Sequence, residues 1–485
     1  MLNKIKLLFF SSKDAKEVTI NTFWSFLGTF FSKGLTFLGW VVVANILGKE
    51  LNGEIGIVRS TINLFLIFVG SGLGLTATRY ISEHSAINRL KTAKIISLTL
   101  LTTIVFACMV SLLLFIFAAE LSEILNAPLI EDTMRLGAFL LFFGALNSSL
   151  KGCIEGFQLF KKSAIINTVY SIVLLVGLYV GAKDNTVYST FLGFLIASVF
   201  YFLLQLITLF RALNERKLRL TINLVEVYPI LLKFTIPAIL SGAMVIPFKW
   251  ITEALLVNQK GGYDEMGIFS AIILFQSLLY TVAQTLNSPL VTLMSKKENN
   301  LKIDKISLLL PWVIGIFGSI PFILFPELFE IIFSKEYTSD PHFLNTYLVI
   351  LLSTVIVLYK QGIARIMVVK DLMWFSFLDN LIWGITLILS FYFLAFKGAY
   401  GLSLSYLIAY ITNIFIILPL YLKWKLIPRF LVTSPLTLLI WVVLILTVAV
   451  NLFYEISLSL RFILSVISNI LFIYLFYKLF KHQET

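Results

Sequence analysis

Charge is what this chain has least of. Only 13% of its 485 residues are Asp, Glu, Lys or Arg, while 59% are hydrophobic, and the mean hydropathy is +0.94. Soluble domains carry about a quarter charged residues, so a water-soluble globule is excluded. Cysteine is nearly absent: Cys108 and Cys153 both lie inside apolar stretches, which excludes a disulfide framework and a thiolate metal site. The histidines His84, His342 and His482 fall in loops or the tail, and none has a second ligand three or four residues on, so no metal is expected. There is no glycine-rich loop ending in Lys-Ser or Lys-Thr, hence no built-in ATPase. Gly70-Ser-Gly-Leu-Gly74 reads as close helix packing or a kink rather than a nucleotide site. No polar segment exceeds about twenty residues, too little for a catalytic domain. Glu155, Glu253 and Asp379 are scattered over different apolar stretches and form no acid–base pair. The expectation is a protein that is not an enzyme and holds no cofactor.

What the chain has instead is apolar runs of membrane-crossing length. A helix needs about twenty residues to cross the hydrocarbon core, and the pattern predicts about fourteen spans, near 20–47, 58–80, 95–118, 136–155, 164–182, 188–210, 231–257, 267–292, 305–327, 343–366, 371–396, 399–422, 431–451 and 458–479. The net charge of +12 then has a topological reading. Alternate connections are basic: Lys4 to Lys16, Arg89/Lys91/Lys94, Lys161/Lys162, Arg211 to Arg219, Lys296/Lys297, Lys423/Lys425 and Lys478/Lys481 all fall on one side. Acids gather on the other, at Glu120 to Asp132 and Glu327 to Asp340. A bias of about three to one in basic residues over short loops places the basic side and both termini in the cytoplasm. No nucleic-acid partner is needed to explain the charge. The run Leu7 to Phe10 is too short for a signal-peptide core, so the amino terminus is expected to stay attached.

The chain also repeats itself. Glu54-Ile-Gly-Ile57 matches Glu265-Met-Gly-Ile268 at an offset of 211. Tyr188-Ser-Thr-Phe-Leu-Gly-Phe-Leu-Ile-Ala197 matches Tyr400-Gly-Leu-Ser-Leu-Ser-Tyr-Leu-Ile-Ala409 at 212, which also sets Asn167 on Asp379. The fold class expected is therefore an all-α polytopic membrane protein of two pseudo-symmetric six-helix lobes, 1–210 and 211–425, related by an axis along the membrane normal. Two extra helices and a cytoplasmic tail follow at 426–485.

A Lys or Arg at bilayer depth costs about 2.5–3.5 kcal/mol on insertion scales, so such residues face protein or water. Lys33 lies too deep to snorkel easily and is read as facing a cavity. Lys249 and Glu253, four apart, either neutralise each other on one helix or serve a site. Lys360 and Asp379 fall in the inner halves of antiparallel spans, at a depth where they can pair. Arg59 and Arg365 sit near span ends, where snorkelling competes with a cavity role. Lys33, Lys249, Lys360, Arg59 and Arg365 are the candidate cargo-binding cations. Asp379 and Glu253 are the candidate ion-coupling or charge-pairing acids. The excess of cations favours an anionic cargo.

Several ordered motifs carry a family resemblance over most of the chain. They are Asn21-Thr-Phe-Trp24, Lys33-Gly34, Ala44-Asn-Ile-Leu-Gly48, Gly53-Glu-Ile-Gly-Ile57, Gly152-Cys-Ile-Glu-Gly-Phe-Gln-Leu-Phe-Lys-Lys162 with Ala164-Ile-Ile-Asn167, Leu231-Leu-Lys-Phe-Thr-Ile-Pro237, Glu330-Ile-Ile-Phe-Ser-Lys-Glu-Tyr337 and Gly398-Ala-Tyr-Gly401. With these the chain resembles polysaccharide exporters of the multidrug/oligosaccharidyl-lipid/polysaccharide (MOP) superfamily, and more narrowly O-antigen flippases of the Wzx type. Ser334 departs from the glycine usual in that family. The resemblance implies alternating access and movement of an undecaprenyl-pyrophosphate-linked sugar repeat unit, as in lipopolysaccharide biosynthesis, from the cytoplasmic to the outer leaflet of the cell inner membrane. Its implied partners are the lipid-linked oligosaccharide, membrane lipids, a polysaccharide polymerase and glycosyltransferases. Coupling to H+, to Na+ or to the membrane potential all remain open. A peptidoglycan-precursor (lipid II) flippase shares the expected span number. A multidrug exporter of the same superfamily would have about twelve spans and a net acidic cavity.

Overall fold

In the computed structural model, residues 13–221, 223–236, 239, 243–285, 301–369, 372–425, 427–453 and 457–481 are described, and among them every regular element is a helix. A bilayer demands this, because without water only structures that bond their own backbone can cross it. The first run, α1 (Lys13–Leu66), is two helices joined across Gly48, whose φ of 77° and ψ of −174° interrupt the helix. A π-turn at Ile67–Ser71 leads into α2 (Gly72–His84). Next comes α3 (Arg89–Ile116), capped by Asn88, whose side chain accepts the Lys91 N–H at 2.9 Å. The series continues with α4 (Ala118–Ile124), α5 (Glu131–Gly156), α6 (Phe160–Ala182), α7 (Val187–Glu215), α8 (Val245–Val257) and α9 (Gly262–Gln284). After these come α10 (Leu301–Leu324), α11 (Glu327–Ile332), α12 (Lys335–Thr338), α13 (Phe343–Val369), α14 (Met373–Leu394) and α15 (Gly398–Lys423). The last are α16 (Phe430–Thr433), α17 (Pro435–Phe453) and α18 (Leu458–Lys481).

Nine helical runs among the described residues are long and apolar enough to cross a membrane. Two of them, Phe26–His84 with 59 residues and Trp374–Lys423 with 50, have the length of two crossings each. The chain is a multi-pass membrane protein. Large side chains such as Leu112, Ile116, Phe462 and Ile470 stand exposed on helix faces, where only lipid would tolerate so much apolar surface.

Two compact units divide the chain: Met1–Leu47 with Glu54–Trp250, and Gly48–Gly53 with Ile251–Thr485. Each is built by the same packing scheme. In the first, α5 packs against α2, α3 and α7, and α6 pairs with α7. In the second, α13 packs against α9, α10 and α15, and α14 pairs with α15. The internal repeat is thus a repeat of packing as well as of sequence. Small residues allow the close approaches: a Cβ on Gly177 of α6 would meet the Gly193 carbonyl of α7 at 2.7 Å, and one on Gly193 the Gly177 carbonyl at 2.1 Å. Buried hydroxyls bond across helices, Ser32 to Ser171 at 2.5 Å and Thr103 to Ser149 at 2.6 Å. Within the second unit, α17 and α18 pack around the fully buried Trp312 of α10. Its ring packs against Trp441 of α17 at 5.2 Å, Phe476 of α18 at 5.1 Å and Tyr359 of α13 at 5.1 Å.

The second span starts earlier than the hydropathy pattern predicts. Helix resumes directly after Gly48, because its exposed N-terminus finds acceptors far away in sequence. The Lys49 N–H donates to Glu336 Oε1 at 2.8 Å, and Lys49 Nζ pairs with Asp340 at 3.0 Å. The Tyr337 hydroxyl donates to the Gly48 carbonyl at 2.9 Å. Gly398, with φ of 56°, begins α15 in the same manner: the Ala399 N–H donates to Glu265 Oε2 at 2.7 Å. Ser334, at the family's usual glycine, has φ of −63°, which any residue adopts, so the departure costs nothing.

Candidate functional site

Three cations gather in the first unit. Arg59 lies eleven residues past Gly48, about 16 Å down the helix at 1.5 Å per residue, so it is no span-end residue. Its guanidinium lies 3.9 Å from the centre of the Trp40 ring, which Phe194 braces edge-on at 5.7 Å. The snorkelling account of Arg59 is therefore replaced by a cation held at mid-depth on an aromatic face. Lys33, fifteen residues before Gly48, is exposed, and the charges acting on it are those of Lys151 and Arg59, both positive. Lys151 stands on α5, whose end at Gly156 agrees with the span expected over 136–155, and it lies within the last two turns of that helix. Glu155 is the local acid, 3.8 Å from Lys151 and accepting the Ser163 hydroxyl at 3.0 Å. Lys33, Arg59 and Lys151 thus form a cluster of cations that act on one another, with the Glu155 carboxylate beside Lys151.

At the repeat offset of 212, Asn167 and Tyr201 of the first unit fall on Asp379 and Asn413 of the second. Both pairs are bonded. The Tyr201 hydroxyl donates to Asn167 Oδ1 at 2.5 Å while its ring stacks on Tyr170 at 4.3 Å. In the second unit Asn413 Nδ2 donates to the Asp379 backbone carbonyl at 2.8 Å. That bond turns Asn413 Oδ1 towards Lys360, whose ammonium donates to it and, at 2.8 Å, to Asp379 Oδ1. The Tyr421 hydroxyl points at the other carboxylate oxygen from 3.5 Å. Lys360 and Asp379 are mostly buried, and a cavity of about 90 Å³ opens beside them, lined also by Ser376, Asn380 and Met367. Asn413 and Tyr421 escape a reading of charges alone. The offset that pairs Asn167 with Asp379 also marks Asn413, through Tyr201.

Arg365 does not snorkel to the surface. It is 3% exposed and donates to the Ser307 carbonyl at 2.8 Å and the Ala283 carbonyl at 3.2 Å, tying α13 to α10 and α9. Ser307 needs such a donor, because the residue four ahead is Pro311, which has no N–H to complete the helical bond. Lys249 and Glu253 share α8, with Lys249 half-buried and Glu253 buried within electrostatic reach of Tyr406.

The profile of the family described as "Polysaccharide biosynthesis protein" matches residues 18–293. Succinoglycan biosynthesis transport protein ExoT of Rhizobium meliloti (strain 1021) is 30% identical over 128 residues. The match spans 26% of this chain and 24% of that protein. Among solved structures, an inward-facing multidrug resistance MATE family transporter of the MOP superfamily aligns with a TM-score of 0.66 at 12% identity, covering 81% of this chain and 94% of that one. Lipid II flippase MurJ, inward closed, aligns with a TM-score of 0.65 at 16% identity, covering 93% and 98%. These likenesses establish the fold.

Proposed function

The chain belongs to the polysaccharide biosynthesis protein family, and on that premise we propose that it is a flippase of the MOP superfamily. Its cargo is an undecaprenyl-pyrophosphate-linked, O-antigen-like repeat unit, moved from the cytoplasmic to the outer leaflet of the inner membrane by alternating access. The observation that carries this reading is the patch of Lys33, Arg59 and Lys151 with Glu155 as its local acid. A pyrophosphate of about two negative charges calls for cations it can reach at membrane depth, and such cations are expensive to keep there without a task. The polyprenyl tail needs no protein site, because it can stay in the lipid. Lys360, committed to Asp379 and Asn413, is assigned to charge pairing rather than to cargo. With both termini in the cytoplasm the basic patch faces the leaflet where glycosyltransferases assemble the unit, and a polymerase would receive it outside.

A lipid II flippase is the second reading, favoured by the 93% coverage of this chain in the MurJ alignment, against 81% in the MATE alignment. An exporter of cationic drugs is disfavoured by the sign of the patch. Deletion of the gene followed by analysis of inner-leaflet lipid intermediates separates these. Accumulated lipid-linked repeat units support the proposal, accumulated lipid II supports the second reading, and neither accumulating overturns both.

A further inference from the structure

The Lys360 ammonium sits among oxygens. Asp379 Oδ1 lies at 2.8 Å, Asn413 Oδ1 is bonded to the same Nζ, and the Tyr421 hydroxyl, which lines the same cavity, points at Asp379 Oδ2 from 3.5 Å. The carboxamide is not free to turn away, since its nitrogen is held on the Asp379 carbonyl. A carboxylate, a locked amide oxygen and a phenol, beside room for several waters at about 10–15 Å³ each, are the donor set that a dehydrated monovalent cation takes. Here that set is filled by a cation covalently tethered to α13. The corresponding place in the first unit, Asn167 with Tyr201, is neutral and closed by its own hydrogen bond.

We propose that Lys360 is a resident cation occupying a ready-made alkali-cation seat, and that it makes the second unit indifferent to Na+. Among the described residues, Lys360 from α13 and Tyr410 and Tyr421 from α15 face Asp379, and Lys360 is the cation paired with it. Removing it leaves a carboxylate that takes up either a proton or a metal cation. Above the carboxylate range and in the presence of Na+, the oxygens around it select Na+. Lys360 is thus a specificity-determining residue for the coupling ion, acting by occupation. The inference concerns the second unit alone and does not rest on the identity of the cargo.

The test uses purified full-length protein at pH 8, with thermal unfolding followed in NaCl or choline chloride at constant ionic strength. Wild type should unfold at the same temperature in both salts. Lys360→Met, close to lysine in volume, should be less stable in choline and should recover saturably with NaCl, by roughly 3 °C between 1 and 100 mM. The double variant Lys360→Met/Asp379→Asn should lose that response. Lys360→Ala provides the same comparison with more room for a hydrated ion. Wild type stabilised by Na+ in a manner abolished by Asp379→Asn would overturn the proposal, and that measurement needs no variant at Lys360. So would a folded Lys360→Met or Lys360→Ala protein indifferent to Na+.

Discussion

A single proline explains why an arginine is buried in this membrane protein. Pro311 removes the donor that the Ser307 carbonyl requires, and Arg365 supplies it from another helix. Leaving a buried carbonyl unpaired costs about 1–3 kcal/mol, so Arg365→Ala should lower stability in detergent by that order. Arg365→Lys should not restore it, since one ammonium cannot reach two carbonyls as a planar fork does. In a Pro311→Ala background residue 311 regains its N–H, and the loss caused by Arg365→Ala should shrink by about 1 kcal/mol. Equal losses in the two backgrounds would show that the two residues are not coupled. Lys33 has the opposite character, being exposed and set among other cations. Lys33→Ala should abolish export in a complementation assay while the protein remains abundant, because no carboxylate is orphaned. Lys33→Arg should keep part of the activity, since a phosphate contact needs charge first and shape second. A Lys33→Ala protein that exports at the wild-type rate removes this residue from the cargo site.

Elements, in this chain, begin where a distant carboxylate allows them to. The helix after Gly48 opens on the Glu336 carboxylate, and α15 after Gly398 opens on Glu265. Such a cap is worth about 0.5–2 kcal/mol, and Glu336→Ala should lower the unfolding temperature accordingly, with Glu336→Gln milder because it keeps an acceptor. A Cβ on Gly48 would lie 2.8–2.9 Å from the Glu336 oxygens, so Gly48→Ala suffers both that clash and the strain of a positive φ. In the Glu336→Ala background only the strain remains, and Gly48→Ala should cost less there than alone; strictly additive losses would contradict this geometry. The same caps show where sequence reading stops. Lys49 to Gly56 is polar and glycine-rich, so it reads as a loop, and the acceptor that makes it helix lies nearly three hundred residues away. Arg59 consequently reads as a span-end residue, whereas Lys151 falls inside the expected span 136–155 but nothing in the sequence sets it beside Lys33. The Lys360–Asp379 contact was within reach of the sequence because depth in antiparallel spans is countable. Arg365's task was only half visible: Pro311 announces an orphaned carbonyl, but nothing local says which side chain fills it.

For the whole molecule, the all-helical membrane class was readable because a bilayer imposes length on every span. Packing then repeats what the sequence repeats, with α5 and α13 each at the centre of its unit. On such a frame a chain with a net charge of +12 concentrates the functional question into a few charges at depth. If the cargo carries about two negative charges, moving it outward across an inside-negative potential of 100 mV is downhill by about 4.6 kcal/mol. That corresponds to roughly three orders of magnitude in the leaflet ratio at equilibrium. An inward-moving cation exchanged for the cargo would add to this driving force, because it carries charge in the same electrical sense. Export should therefore depend steeply on membrane potential whichever cation, if any, is coupled. In inverted vesicles loaded with lipid-linked repeat units, clamping the potential with valinomycin and potassium at fixed pH and sodium gradients isolates that dependence. Translocation should accelerate as the compartment equivalent to the cytoplasm is made negative and slow as it is made positive. A rate indifferent to the clamp would mean that the cargo crosses with its charge neutralised by co-transported cations, and the basic patch would then have to be reassigned from carrying net charge to orienting an already neutral complex.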